Sequence, residues 1–449
     1  MKIRTIPALS ALAIAALHLP ACARDARIVG EMNGDEIVLT ASGDRFAGAI
    51  NSLTYRGVQY IDTADHGREM QSAIQLDGWG ECYNPNEAGS YADADGAGST
   101  SVLEAISSHG NVLKTRTRPA YWMGPRQRRA MACNPNLESP RNQARTALNT
   151  AKLSEFTVSR KAAFHSTIPG LIEVGVEWRI PGDFKSMNAE ASTGYLPGSF
   201  DLFLVYDRAS GTLRKVAATA ADSVNQHTDL PVIISRKDGV HAMGAFAPEL
   251  MKNPGRGYMA FFSFAEDRKP TSKWSCVFGE VDIRKGSTYS YSCPIVIGSV
   301  DQVIAAINAY PVAGQHAGTS VAVYRFFNGR YHFMTTSFTE AAAAGYAFEE
   351  TGFHAYPAGG TGLKRLYRCY DAANGSHFVS DAADCERARN EGTIGWARTV
   401  GGGTRVPLHR FANAASADRL VTVNRKEGER NGLRYERLLG YVEPPRSGS

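Results

Sequence analysis

The alternation of apolar and polar residues is the pattern that most limits how this chain can fold. Between residues 171 and 180 every second residue is apolar, namely Ile172, Val174, Val176, Trp178 and Ile180. Other short β-type runs lie between turn signals such as Asn33-Gly34 and Asp238-Gly239. These patterns predict a mainly β protein whose residues 24–312 form a large antiparallel β-sandwich, closed by one helix at Val300–Ala309.

A second pattern begins after a linker expected at 313–320. Three units start with Tyr324-Arg325-Phe326, Tyr367-Arg368-Cys369 and His409-Arg410-Phe411, at intervals of about 43 residues. Each unit continues with a short segment bearing a glutamate, namely Glu340, Glu386 or Glu427, and ends in an aromatic strand. Units this short cannot bury their own apolar faces. We therefore expect one small β-rich domain of three repeats with pseudo-three-fold symmetry at 321–444, followed by a tail at 445–449.

The N-terminus carries the features of an export signal over residues 1–23. Lys2 and Arg4 precede an apolar stretch, and Ala21-Cys22-Ala23 has the small residues of a cleavage site. Lipoprotein processing at Cys22 is the alternative. We expect a secreted or periplasmic protein, lipid-anchored through Cys22 in the second case, with no transmembrane segment in the mature chain.

The cysteines agree with export. Of seven cysteines, six follow residue 23, and an even number in an oxidising compartment favours disulfides. Spacing alone leaves many connectivities open. The two close pairs, Cys276 with Cys293 and Cys369 with Cys385, suggest local bridges, which leaves Cys82 with Cys133.

Composition and motifs exclude several classes. The chain has 449 residues, 43% of them hydrophobic, so it can bury a sizeable core. Its formal charge of +5 is too small to indicate a nucleic-acid partner. The sequence contains no phosphate-binding loop, zinc-protease helix, serine-hydrolase elbow or dinucleotide fingerprint. ATP, nicotinamide and simple serine-hydrolase chemistry therefore have no basis in the sequence, and we expect no cofactor apart from a calcium option given below.

Two resemblances extend this interpretation. The three units, with His332-Phe333 and His377-Phe378 after their first strands, resemble a repeat family of unknown function found in secreted microbial proteins. That resemblance implies an accessory role in binding glycans or surfaces, although the third unit has Arg419-Leu420 in place of histidine and phenylalanine. Segments 65–71 and 79–85, with 241–244 and 273–274, resemble galactose-mutarotase-like β-supersandwich domains. This second resemblance implies that a sugar is bound or processed on a concave sheet face.

A sugar site needs aromatic rings for stacking and polar groups for the hydroxyls. The candidate catalytic residues are His66, Arg68, Glu81 and His241. The candidate substrate-binding residues are Trp79, Asn84, Glu87, Tyr121, Trp122 and Trp274. The structural alternative is that His66 and Arg68 join loops through backbone hydrogen bonds, while Trp79 and Cys82 are core residues.

Two further segments allow a ligand. Asp93, Asp95 and Glu104 stand at spacings found in calcium loops, although a flexible polar loop is the simpler interpretation. A basic stretch could bind an acidic polysaccharide, or be a solvated loop; it contains Lys114, Arg116, Arg118, Arg126, Arg128, Arg129, Arg141 and Arg145.

The sequence thus favours an exported protein that interacts with a glycan or cell-surface polysaccharide. Whether it is a carbohydrate-active enzyme, such as an epimerase, lyase or hydrolase, stays open at this stage. The alternative is a non-catalytic adhesin or structural envelope protein.

Overall fold

The structure, a computed structural model, describes residues 25–129, 146–217, 219–220, 227–266, 269–314 and 316–445. The described chain is mainly β with antiparallel sheets, which confirms the predicted fold class. The predicted helix at Val300–Ala309 is present, and its N-cap Ser299 accepts a hydrogen bond from the backbone N–H of Gln302. No helix in the described ranges is long and apolar enough to cross a membrane.

The strands before the linker are β1 (Ala26–Met32), β2 (Asp35–Ala41), β3 (Ile50–Tyr55), β4 (Val58–Gln59), β5 (Gln71–Leu76), β6 (Pro85–Asn86), β7 (Val102–His109), β8 (Val112–Arg118), β9 (Ala120–Tyr121), β10 (Thr157–Phe164), β11 (Leu171–Arg179), β12 (Phe184–Pro197), β13 (Leu202–Asp207), β14 (Thr212–Val216), β15 (Thr219–Ala220), β16 (His227–Thr228), β17 (Val232–Ser235), β18 (Ala242–Ala245), β19 (Gly257–Glu266), β20 (Lys269–Ile283), β21 (Thr288–Ser292) and β22 (Ile295–Gly298). The helices are α1 (Pro248–Lys252) and α2 (Val300–Ala309), with 3₁₀ turns at Gly80–Tyr83 and Tyr91–Asp93.

Three sheets share one apolar core. The first has the order β1-β2-β3-β4, and the second has the order β15-β19-β20-β12-β5-β6-β9. The third runs β14-β13-β17-β18-β22-β11-β10-β8-β7. Apolar side chains from all three meet in a single cluster, in which Trp178 and Trp274 are fully buried. The alternation read at 171–180 therefore marks the core face of β11.

The second sheet has one face in this core and one face directed away from it. On β20, Trp274, Cys276 and Phe278 are buried in the core cluster. Because successive side chains of a strand point to opposite faces, Lys273 and Ser275 lie on the other face. This polar face is the surface on which the candidate site is built.

Two of the predicted disulfides are present. Cys276 on β20 is bonded to Cys293, which follows β21, so this bridge joins the second sheet to the third. Cys369 is bonded to Cys385 across 16 residues of sequence. Cys133 lies outside the described residues, so its pairing with Cys82 stays a prediction.

After the linker, three consecutive segments contain two strands, a short helix or 3₁₀ turn, and a third strand. The strands are β23 (Val321–Phe327), β24 (His332–Thr335), β25 (Ala347–Ala355), β26 (Leu363–Asp371), β27 (Ser376–Ser380), β28 (Arg389–Arg398), β29 (Val406–Ala412), β30 (Arg419–Thr422) and β31 (Arg434–Val442). The helical pieces are α3 (Phe338–Ala343), a 3₁₀ turn at Cys385–Arg387 and α4 (Arg425–Arg430). Their equivalence as three repeats of one folding unit stays a prediction, as do the domain boundaries.

Ion pairs connect the three segments in a closed order. Arg368 of the second segment bonds Glu340 of the first at 2.7 Å. Arg410 of the third bonds Glu386 of the second at 2.8 Å. Arg325 of the first bonds Glu427 of the third at 3.0 Å. We call these six residues the arginine–glutamate ring.

The first C-terminal segment also packs on the sandwich. Tyr324, Phe326 and Phe338 join a cluster that contains Val303 and Ile307 of α2. Asp301 accepts hydrogen bonds from the backbone N–H groups at the start of α3, at 2.8 Å for Phe338. The two regions are therefore joined by a continuous apolar contact beyond the linker itself.

Candidate functional site

A cleft of about 680 Å³ lies on the polar face of the second sheet. Its floor comes from β12, β19 and β20, and its walls come from the loop at 65–68, the turn at Tyr91 and the segment around Trp122. Five aromatic side chains line it: Tyr91, Trp122, Tyr195, Tyr258 and Phe262. Charged side chains of both signs lie among these rings, so the cleft offers apolar surfaces together with donors and acceptors.

Strand register places the floor residues side by side. Lys273 is directly opposite Phe262 on one neighbouring strand and Tyr195 on the other. Its ammonium nitrogen lies 5.1 Å from the Tyr195 ring centre and 5.9 Å from the Phe262 ring centre. The lysine is thus held between two aromatic rings, an arrangement that favours a cation.

Glu190 completes this group. Its Oε2 atom lies 3.0 Å from Nζ of Lys273, and the Ser275 hydroxyl reaches the same oxygen at 3.5 Å. Burial by itself would lower the pKa of Lys273, but Glu190 and Tyr195 outweigh it, and the net shift is upward. Burial raises the pKa of Tyr195, against the opposing effect of Lys273. Lysine is therefore the cation of this group, and tyrosine is a neutral proton donor.

Glu81 lies in the same cleft, on the 3₁₀ turn that follows β5. Its Oε2 atom is 3.5 Å from NH1 of Arg129, whose guanidinium lies 3.7 Å from the ring centre of Tyr91. The surrounding protein raises the pKa of Glu81, although Arg129 and Lys273 oppose the shift and the nearby Glu190 adds to it. The side chain keeps 42% of its surface open, and that open surface faces the cleft. The Glu81 carboxyl is therefore accessible to a ligand in the cleft and can form hydrogen bonds with it.

The loop at 65–68 is held by its own polar contacts. His66 is buried, and its two ring nitrogens lie 2.8 Å from the Ala94 carbonyl oxygen and 2.7 Å from the Arg45 carbonyl oxygen. Both ring nitrogens are thus occupied by backbone carbonyl oxygens of the loops that His66 joins. Arg68 pairs with Asp65 at 3.3 Å and with Asp62 at 3.6 Å.

Gly67 allows the loop to approach the opposite wall. Its φ angle is +110°, and a Cβ atom added there would lie 2.6 Å from the Trp122 ring. Only glycine combines this backbone conformation with so close a contact. The indole Nε1 atom of Trp122 is buried and has no hydrogen-bond partner within the normal limits. Its more distant interaction with Glu81 contributes only a small lowering of that pKa.

Glu69 lies directly behind this loop and is fully buried. One carboxyl oxygen accepts a hydrogen bond from the Gly67 backbone at 2.9 Å, and the other has no hydrogen-bond partner in the described chain. Burial raises the pKa of Glu69 to about 8, despite the hydrogen bond from Gly67. The neutral acid is therefore the form present at pH 7.

The structure brings part of the predicted site together. His66, Arg68, Glu81 and Trp122 line the cleft. His241 lies elsewhere, with Nδ1 3.2 Å from the Tyr60 hydroxyl, and burial lowers its pKa. The cleft lining also leaves out Trp79, Asn84, Glu87, Tyr121 and Trp274.

Those five residues have other contacts or positions. Glu87 forms a buried ion pair with Arg160 at 2.5 Å. The Asn84 amide donates to the Ile74 carbonyl oxygen at 2.8 Å, and the Tyr121 hydroxyl donates to Tyr83 at 3.0 Å. Trp274 is fully buried, and Trp79 is the half-buried N-cap of the 3₁₀ turn that carries Glu81.

The other predicted ligand positions are dispersed. The Asp93 carboxylate accepts from the Ser90 and Thr100 backbones at 2.7 and 2.8 Å, while Glu104 pairs with Arg116. In the described ranges, no three His, Cys, Asp or Glu side chains lie close enough together to hold a metal ion, and this holds for Asp95 as well. In the basic stretch, Lys114, Arg116 and Arg118 are exposed on β8, whereas Arg129 enters the cleft. Arg141 and Arg145 lie outside the described residues.

Sequence reasoning missed most of the floor: Glu190, Tyr195, Tyr258, Phe262, Lys273 and Ser275. The available signal was alternation along β20, where polar Lys273 and Ser275 flank apolar Trp274. Choosing the tryptophan selected the core face of the strand. Recognising the opposite face required knowledge of which side of the sheet was covered.

Comparisons with known proteins add a family match in the C-terminal half. Residues 305–398 match a family described as a domain of unknown function, DUF5648, and the match ends before β29. This is less than half of the chain. A search of curated proteins gives no match.

Solved structures resemble this chain only weakly. Heparan sulfate lyase HepC from Pedobacter heparinus is 9% identical, with a TM-score of 0.31, over 59% of this chain and 33% of that one. A GalM/aldose epimerase homologue from C. elegans is 10% identical, with a TM-score of 0.33, over 62% of this chain and 99% of that one. A glycosyl hydrolase family 38 protein from Enterococcus faecalis is 8% identical, with a TM-score of 0.36, over 65% of this chain and 34% of that one. This chain spans only about a third of the lyase and the hydrolase, and scores this low carry no inference about activity. The comparisons therefore give a match to the DUF5648 family over residues 305–398 and only weak similarity to solved structures.

Proposed function

We propose that this is an exported protein that binds a glycan in the cleft of the second sheet. The observation that carries the proposal is the composition of that cleft, in which aromatic rings stand beside ion pairs in a space of about 680 Å³. Small-molecule sites commonly enclose roughly 300–1,000 Å³.

The chemistry of a sugar matches this lining. The apolar face of a sugar ring stacks on aromatic rings such as Tyr258 and Phe262, which stand on the same face of β19. Sugar hydroxyls both donate and accept, and each ion pair in the cleft presents one donor and one acceptor group. Lys273 with Glu190 and Arg129 with Glu81 are two such pairs.

Export is supported by the two disulfides, because such bonds persist in oxidising compartments. We assign the C-terminal region a role in attaching the protein to a surface or glycan. Its segments meet through backbone pairing of Tyr356 with Trp396 and of Tyr441 with Arg398. The side chains of Tyr356, Trp396 and Tyr441 are half-buried there, and such aromatic rings support this role.

A glycan array followed by calorimetric titration of residues 24–449 tests the proposal. The Tyr258→Ala and Phe262→Ala variants remove stacking surfaces and are expected to weaken binding by about tenfold each. Tyr289→Ala is the matched control, because this ring is also half-buried but stands on β21 of the third sheet, outside the cleft lining. A glycan that binds both cleft variants as tightly as the unaltered protein would contradict the cleft as the binding site.

A further inference from the structure

We propose that the cleft is one end of a longer groove that binds a chain of several linked, uncharged sugars. This inference rests on the proposed function and names the class of glycan that the site takes. It starts from a second cavity of about 500 Å³ on the same sheet, whose lining includes Gln75, Asn188, Tyr258, Gly279 and Val281. Tyr258 lines both this second cavity and the cleft, so the two spaces adjoin at that residue.

Strand β20 gives the two spaces a continuous floor. Lys273, Ser275 and Val277 line the cleft. Gly279 and Val281 line the second cavity. These are alternate residues of one strand, so they share the polar face of the sheet. The strand rises about 27 Å from Lys273 to Val281, at roughly 3.4 Å per residue, and a floor of that length accommodates several linked sugar rings.

The neighbouring strands continue the same face. Glu190 of β12 is opposite Val277 in the cleft, and Asn188 is opposite Gly279 in the second cavity. Gln75 of β5 is in turn opposite Asn188. Asn188 is exposed and Gln75 is half-buried. Their amide groups can donate to sugar hydroxyls and accept from them.

The floor is open at Gly279. In the described chain, a Cβ atom added to this glycine would have one neighbour within 4 Å besides the adjacent residues, namely the Arg256 carbonyl oxygen at 3.9 Å. Val281, the next residue on this face, is 72% exposed. A sugar chain that leaves the cleft past Tyr258 therefore has room to continue along the strand. A larger side chain at position 279 would occupy that room.

The charges of the groove favour an uncharged chain. In the described lining of the two spaces, each lysine and arginine contacts a carboxylate: Lys273 with Glu190, Arg129 with Glu81, Arg68 with Asp65, and Arg256 with Glu280. Uronic acids or sulfated sugars would bring further negative charge beside these carboxylates, which is unfavourable. The hydroxyls of a neutral sugar can bond to both members of each pair.

The test is calorimetric titration of residues 24–449 with disaccharides and hexasaccharides of glucose, mannose, galactose, xylose and N-acetylglucosamine. A galacturonic acid hexasaccharide is the charged probe. For the sugar that binds, we expect the hexasaccharide to bind at least about tenfold more tightly than the disaccharide, because only the longer chain reaches the second cavity.

Gly279→Leu should block the groove beyond the cleft. We expect it to weaken hexasaccharide binding by about tenfold and to leave disaccharide binding unchanged, which also shows that the variant is folded. Gly175→Leu is the matched control, because this β11 glycine of the third sheet also has open space, with the Tyr291 carbonyl oxygen 4.0 Å from an added Cβ. Neither glycine has a positive φ. Asn188→Ala removes an amide without adding bulk and should weaken hexasaccharide binding by about three- to tenfold.

Three outcomes overturn the inference. The first is equal affinity for the disaccharide and the hexasaccharide, which confines the sugar to the cleft and leaves the proposed function intact. The second is a hexasaccharide that binds Gly279→Leu and Asn188→Ala as tightly as the unaltered protein. The third is tighter binding of the galacturonic acid chain than of any neutral chain. Absence of binding by every sugar would instead refute the proposed function, and this inference with it.

Discussion

Glu69 and Glu81, which lie behind and within the cleft, have pKa values shifted in the opposite direction from those of the glutamates in the arginine–glutamate ring. Burial raises the pKa of Glu69 to about 8 and also raises the pKa of Glu81. In the ring, burial acts the same way, but hydrogen bonds from Arg410 and Ser380 outweigh it and lower the pKa of Glu386 to about 2. The pKa values of Glu340 and Glu427 are lowered for the corresponding reason.

The difference lies in how completely each charge is bonded. Arg410 donates at 2.8–3.0 Å to Glu386, Glu436 and the Val379 carbonyl oxygen, and only 2% of its side chain is exposed. In the cleft, the described residues give Glu81 one ion pair, with Arg129 at 3.5 Å. Charged groups that form several short hydrogen bonds, as in the ring, therefore stabilise the fold. Charged groups that form few, as in the cleft, keep atoms available for hydrogen bonds to a ligand.

The largest effect should come from breaking the ring. Arg410→Met leaves Glu386 and Glu436 without their main cation, and we expect a loss of roughly 3–5 kcal/mol in the free energy of unfolding. Denaturant titration measures it. Arg434→Met is the control, because that arginine is 67% exposed and pairs with the same Glu436 at 3.2 Å. Its loss should stay below about 0.5 kcal/mol. Equal losses would mean that the ring does not hold the segments together.

Glu69, the buried acid behind the cleft, should give the next largest effect, a change of stability with pH. A carboxyl whose pKa is raised on folding binds more protons in the folded state, so its stability contribution is lost as pH rises. Between pH 5 and pH 8, the unaltered protein should lose about 3 kcal/mol of unfolding free energy relative to Glu69→Gln. Unfolding is measured at both pH values, with Glu173→Gln as an exposed control. A constant difference between protein and Glu69→Gln would show that Glu69 is not held neutral.

Glu386 of the ring should affect the free energy of unfolding at low pH. A carboxyl whose pKa is lowered on folding contributes stability above its unfolded pKa of 4.5, and this is lost as pH falls toward 2. The advantage of the unaltered protein over Glu386→Gln should therefore shrink by about 2 kcal/mol from pH 6 to pH 2. The same denaturant titrations at low pH measure it. An advantage that persists at pH 2 would contradict the assigned ion pair.

The smallest effect tests the cleft wall. Gly67→Ala combines an unfavourable φ with a contact against Trp122, so we expect a loss of about 1–2 kcal/mol in stability. Displacement of the wall should also weaken glycan binding, which calorimetry measures. Gly110→Ala is the control, because Gly110 also has positive φ but nothing lies near its added Cβ. Weakened binding in the control as well would mean that the effect is not local to the cleft.

Sequence reasoning identified the elements better than the site. Alternation at 171–180 predicted β11, and the close cysteine pairs predicted two bridges, because both signals are local in sequence. Within segment 65–87, the sequence pointed to Glu81 and Arg68, which line the cleft. It also pointed to Trp274 as a substrate-binding residue, but Trp274 is buried in the core. His241 was chosen as a titratable group, yet its strand carries it to Tyr60 rather than to the cleft.

The sequence by itself therefore determined the mainly β class, the core face of β11 and two local disulfides, since these follow from periodicity and short-range spacing. Only the tertiary structure decided which polar residues meet. Pairing of β12 with β20 brings Glu190 to Lys273, which are far apart in the chain, and the cleft also contains Glu81 from a different loop. The ring was decided in the same way, because Arg325 reaches Glu427 only when the first and third segments close on each other. Arginine and glutamate side chains form buried ion pairs where the three C-terminal segments meet, and they line an open cleft on the polar face of the second sheet. The tertiary structure decides between these two outcomes.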